Sequence, residues 1–270
     1  MVKNISKPFI ILAKKNMNDN GSVAVSYIEE HIAEITFFHP AHNSLPANIL
    51  KELAERITAV SKQHTVEIIV LKSAGDRTFC AGASFNELVA IDNEEAGKTF
   101  FMGFANVINA CRKSGKIIIG RVQGKAVGGG VGLAASVDYC LATKYAAIKL
   151  SELAVGIGPF VVGPAVQRKV GLSAFTHLTI NATEFKNANW AKDKGLYDEV
   201  FETVEQLNEA VLAMAKNLAT TNPEARAALK KVFWQGTENW DDLLAERASE
   251  SGRLVLSNFT KKTLAKFNKA

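Results

Sequence analysis

Two short small-residue segments constrain this chain more than any other feature: Phe79-Cys-Ala-Gly-Ala-Ser-Phe85 and, 45 residues after Ala83, Gly128-Gly-Gly-Val-Gly132. Residues with little or no side chain let a ligand or a neighbouring strand lie directly against main-chain N–H groups. Two such donors facing one point would make an oxyanion hole. On spacing alone the glycines would equally serve a tight strand–helix crossing. They do not form the dinucleotide fingerprint, because Leu133 stands where the third glycine belongs.

A pair of backbone donors stabilises negative charge but moves no proton, so a base is needed. Glu152 is the candidate, although a surface acid at a helix start capped by Ser151 has the same local sequence. Other chemistries find little support. His31, His39, His64 and His177 lack paired metal-ligand spacing, and Ser136 and Ser151 lack the GxSxG elbow of a serine nucleophile. Cys80, Cys111 and Cys140 are odd in number with no CxxC, so no metal site and no disulfide framework are expected and a reducing, cytoplasmic location is. The net charge of +5 is dispersed without aromatic interleaving, so no nucleic-acid partner is expected. No apolar run reaches the roughly 20 residues of a membrane span, and Pro8 to Ala13 is too short for a secretory signal.

The patterning predicts an α/β fold. Residues 1–22 read as an N-terminal extension, 23–200 as a core of repeated strand–strand–helix units, and 201–270 as a C-terminal helical region. Val23 to Phe38 alternates around Glu29-Glu30-His31 as a hairpin, and Pro46 opens a helix with Ile49, Leu53, Ile57 and Val60 on one face. Strands are expected at Glu67–Lys72, Lys116–Val122, Tyr139–Thr143 and Ala147–Leu150, with helices at Glu94–Cys111 and from about Gly130. Beyond Gly171 the chain reads as helices, with the stripe Leu207, Val211, Met214 and Leu218 and a break at Asn222-Pro223.

Taken in order, FCAGASF, then RVQGKAVGGGVGLAASVDYCLAT (Arg121 to Thr143), then Ser151-Glu152, Gly156 and Pro159 resemble the enoyl-CoA hydratase/isomerase (crotonase) superfamily, over about Val23 to Phe267. The resemblance implies a superhelix of ββα units with a C-terminal helical trimerisation region, assembled as a homotrimer or hexamer. It implies an acyl-CoA thioester substrate, with coenzyme A as its carrier and no separate cofactor. The N–H groups of Ala83 and Gly129 would hold the thioester oxygen and Glu152 would shuttle a proton. His42, Ala81, Ala83, Phe85 and Gly129 would line the coenzyme path, and Lys261, Lys262, Lys266 and Lys269 are where its phosphates would be sought.

Departures from the pattern narrow the activity. Hydratases of the family carry a second glutamate where this chain has Gly132, so isomerisation of an enoyl-CoA double bond is the simplest chemistry. Hydration, including a methylglutaconyl-CoA-like one, stays open, because Glu152 and backbone groups could hold a water. A non-catalytic CoA-binding or scaffold member is the reading from another class. Hydrolysis is disfavoured by Phe160, which stands where hydrolases carry an aspartate. The usual GGTQ is replaced by Val162-Gly163-Pro164-Ala165, and Phe160, Val161 and Val162 favour an apolar or branched acyl group.

Overall fold

A computed structural model describes residues 20–267. All but the last three residues of the expected extension 1–22, and Lys269, lie outside that range.

The hairpin is β1 (Ser22–Glu29) and β2 (Ile32–Phe38), paired antiparallel, with His31 at φ +70 in the turn. The chain then repeats one pattern. β2 is followed by β3 (Ser44–Leu45) and α1 (Ala47–Ser61). β4 (Ile68–Ser73) is followed by β5 (Thr78–Cys80), β6 (Gly82–Ala83), α2 (Phe85–Val89) and α3 (Glu94–Lys113). β7 (Ile117–Val122) leads through β8 (Lys125–Val127) to α4 (Gly129–Ser136), and β9 (Tyr139–Thr143) through β10 (Ile148–Lys149) and a 3-10 turn at Leu153–Val155 to α5 (Gly163–Ile180). The remainder is α6 (Ala188–Asp193), β11 (Glu199–Phe201), α7 (Val204–Ala219), α8 (Pro223–Phe233), α9 (Trp240–Val255) and α10 (Asn258–Phe267).

The first strand of each unit joins a six-stranded sheet ordered β1-β2-β4-β7-β9-β11, parallel from β2 onward. The second strands stack separately, in a parallel sheet ordered β10-β8-β5 and in the pair β3-β6. This is the expected spiral of ββα units. It explains why β4 and β7 are apolar almost throughout: both faces of a parallel sheet are covered. Ile35, Ile69 and Ile118 face the main core with Leu53 of α1 and Ile108 of α3, while Ile68, Val70 and Ile117 meet Leu207 and Val211 of α7.

Two details differ from the sequence expectation. The helical region expected beyond Gly171 already begins at Gly163 with α5, which changes direction at Gly171, whose φ of +76 is open to glycine. The three-residue strand β11 was not expected, and it extends the sheet beside β9.

The last helices are anchored on the spiral. Asp138, just before β9, accepts hydrogen bonds from Ile118 N, Lys230 Nζ and Trp234 Nε1 at 2.7–2.9 Å, which fixes the end of α8 to the sheet. α9 crosses α3 at Gly97 and Gly252, where a Cβ on Gly97 would lie 2.7 Å from the Cα of Gly252. Backbone-to-backbone crossing therefore brings α9 onto the chain's own α3. Among the described residues no helix is long and apolar enough to cross a membrane.

Candidate active site

The two small-residue segments meet. FCAGASF forms β5, a break at Ala81 whose N–H donates to Asn43 O at 3.2 Å, then β6, and Ser84 caps α2 by accepting from Glu87 N at 3.4 Å. GGGVG ends β8 and starts α4, with Gly128 at φ +53. A Cβ on Gly130 would fall 2.3 Å from Cys80 O, so the tight crossing allowed by the spacing is present. A Cβ on Gly82 would be 3.6 Å from Gly129 N, which measures how closely the segments approach.

The neighbouring glycines serve a different purpose. Gly129 opens α4, so its N–H is one of the first-turn donors that have no partner within a helix, at the positive end of the helix dipole. A Cβ on Gly128 would lie 3.0 Å from Glu152 Oε1. The base candidate and the donor candidate are thus adjacent.

Both border a cavity of about 360 Å³. Ala81, Ala83, Phe85, Gly129 and Glu152 all line it. Ala83 directs its carbonyl to the Ser44 hydroxyl at 2.8 Å. His42 is exposed at φ +54 on the turn before Asn43 and is not among the lining residues. Lys261, Lys262 and Lys266 are exposed on α10.

Glu152 sits between β10 and the 3-10 turn, and its carbonyl accepts from Val155 N and Ile157 N. The residue as a whole is half-buried, but Oε2 is enclosed and has no hydrogen-bond partner. Burial pushes the carboxyl up to about 7, against a weaker downward pull from a backbone hydrogen bond. Among the described residues Glu152 is the one ionisable side chain in the lining. Its turn is held from outside: Thr260 Oγ1 donates to Gly156 O at 3.1 Å, and a Cβ on Gly156 would strike the Phe259 ring at 2.6 Å.

The position where hydratases are described above as carrying a second acid is closed. A Cβ on Gly132 would lie 2.4 Å from Val162 Cγ1 and 2.7 Å from Val162 Cβ. Sequence reasoning missed another wall, formed by Phe100, Phe101 and Phe104 of α3 and Ser251 of α9. The signal available was the spacing of those phenylalanines, which puts all three within about one helical turn. Among the described residues no group of three or more His, Cys, Asp or Glu is placed to hold a metal.

Comparison with known proteins adds three kinds of likeness. The family model described as enoyl-CoA hydratase/isomerase matches residues 27–266. An ethylmalonyl-CoA decarboxylase of Xenopus laevis is 29% identical over 83% of this chain and 76% of its own length. A short-chain-enoyl-CoA hydratase of Clostridium acetobutylicum is 28% identical over 88% of this chain and 92% of its own. In three dimensions, an enoyl-CoA hydratase from Bacillus halodurans superposes with a TM-score of 0.83, covering 90% of this chain and 99% of that one at 22% identity.

Proposed function

The chain belongs to the enoyl-CoA hydratase/isomerase family, and from that premise we propose that it shifts the double bond of an enoyl-CoA thioester, with Glu152 carrying the proton and no cofactor beyond the coenzyme A of its substrate. The observation that carries this reading is the lone acid: Val162 fills the space a side chain at position 132 would need, and among the described residues Glu152 is the one ionisable group in the lining.

The thioester oxygen lies between the N–H groups of Ala83 and Gly129, at the start of α4. Glu152 removes a proton from C2 of a 3-enoyl-CoA, the electron pair delocalises into a dienolate whose charge rests on that oxygen, and Glu152 returns the proton at C4. The double bond ends between C2 and C3 with no net gain or loss of atoms. A carboxyl near pH 7 suits both halves, because it takes the proton as a base and gives it back as an acid. The backbone donors supply the shared stabilisation; removing one in other enzymes costs about 10²–10³ in rate.

Hydration is the second reading, favoured by the name of the Clostridium acetobutylicum relative. Turnover of crotonyl-, 3-hexenoyl- and 3-methylglutaconyl-CoA in water labelled with oxygen-18 and deuterium separates the two. Bond migration with no added oxygen is expected, with deuterium entering at C4 to the extent that the proton on Glu152 exchanges with solvent before it is returned. A product heavier by one labelled water refutes isomerisation, and acyl-CoA binding without turnover would leave a binding protein.

A further inference from the structure

We propose that the acyl end of the cavity selects an uncharged hydrocarbon group against one bearing a second carboxylate, and that Phe100, Phe101 and Phe104 of α3 set this selection. The inference rests on the reading that the cavity is the acyl-CoA site.

Among the described residues the lining contains no lysine, arginine or histidine. Two of its hydroxyls are already committed, since Ser44 donates to Ala83 O and Ser251 to Arg247 O. A terminal carboxylate on the acyl group would therefore leave water without a cation to meet it. It would also stand near Glu152, and a like charge there would drive the catalytic carboxyl further toward its neutral form, where it cannot act as a base.

The phenylalanine wall is fixed in place. A Cβ on Gly129 would lie 2.3–2.6 Å from the Phe104 ring, so that ring is seated on the residue proposed to hold the thioester oxygen. Phe104 is 6% exposed and Phe100 is 9% exposed. Phe100 and Phe101 pack edge to face at 5.1 Å one turn nearer the start of α3. The helix carrying them is locked to α9 at the Gly97–Gly252 crossing. All three rings line the cavity, Phe104 against Gly129 and the other two one helical turn away along α3.

This separates the chain from relatives named for dicarboxylate substrates, such as the ethylmalonyl-CoA decarboxylase of Xenopus laevis. Those names are matched by sequence likeness, whereas the charge of the acyl group is decided by the lining.

The test is equilibrium binding of hexanoyl-CoA and glutaryl-CoA, which are similar in length, to the full chain and to two variants. Hexanoyl-CoA is expected to bind about 100-fold tighter. Phe101→Lys should bring the two within about tenfold by supplying a cation, while Phe101→Leu, which keeps an apolar wall, should preserve the order. Equal or tighter binding of glutaryl-CoA to the parent overturns the proposal whatever the turnover assays give. An unchanged ratio in Phe101→Lys, with Phe101→Leu folded and binding, overturns the assignment to α3. Strong selection for hexanoyl-CoA without isomerisation would sustain this inference and sink the isomerase reading; binding of neither ligand sinks both.

Discussion

Asp138 and Glu152 both carry enclosed carboxyl oxygens, and they live in opposite surroundings. Asp138 has a side chain 2% exposed beside a Lys230 side chain 3% exposed, and it receives hydrogen bonds from that ammonium, a backbone amide and an indole. Glu152 has an Oε2 with no partner and a carboxyl raised to about 7. Burial is common to both, so burial does not decide what an acid does here. Partners do. The saturated acid ties α8 to the sheet, and the unsaturated one is left able to exchange a proton with a ligand.

The contrast can be broken at either acid. The largest effect is expected from Glu152→Gln, which keeps the shape and removes the base: turnover should fall about 10²–10⁴-fold while acyl-CoA binding is kept and stability at pH 8 does not fall. Surviving activity would remove Glu152 from the mechanism. At the other acid, Lys230→Met leaves Asp138 enclosed without its countercharge and should cost about 3–5 kcal/mol in denaturant unfolding. A loss well below that would mean that the amide of Ile118 and the indole of Trp234 suffice.

A pH series sharpens the comparison further. Glu152 is raised in the folded state from 4.5 to about 7, so the native state holds the extra proton between those values. Its favourable contribution is present below pH 4.5 and is lost as pH climbs through 7, a change of about 3 kcal/mol. Glu152→Gln should flatten this slope. Activity should move the opposite way, with kcat/KM rising through pH 7 as the carboxylate forms. The smallest effect is expected at the turn support: Thr260→Val should cost about 1 kcal/mol and change turnover a few-fold, since the Gly156 carbonyl loses one neutral donor. A far larger fall in rate at unchanged stability would show that this bond positions Glu152.

Much of this arrangement was legible because its causes are local. The apolar runs of β4 and β7 read as strands because both of their faces are buried, and the stripe on α1 read as a helix face because Ile49, Leu53, Ile57 and Val60 point into one core. The small residues at 81–83 and 128–130 could be read as a close approach, though spacing alone could not assign Gly130 to the crossing and Gly128 to the cavity. Features set by distant partners were not legible. Asp138 lies inside a recognised stretch, yet its role depends on Lys230, 92 residues away. The phenylalanines of α3 read only as part of a helix, because the cavity they face is made elsewhere in the chain. β11 is three residues long and owes its existence to β9.

The Thr260–Gly156 bond joins residues 104 apart in sequence. The ββα units are built mostly from neighbours along the chain, but docking α9 and α10 closes loops of a hundred residues or more, and loop closure must be met before the contact gives anything back. The order expected from loop closure is the spiral first and the pocket it encloses second, which pulsed hydrogen exchange during refolding would check. An incompletely docked molecule would carry every proposed donor and the base, yet expose the aromatic wall to water, and its activity would report the final docking step rather than the presence of the fold.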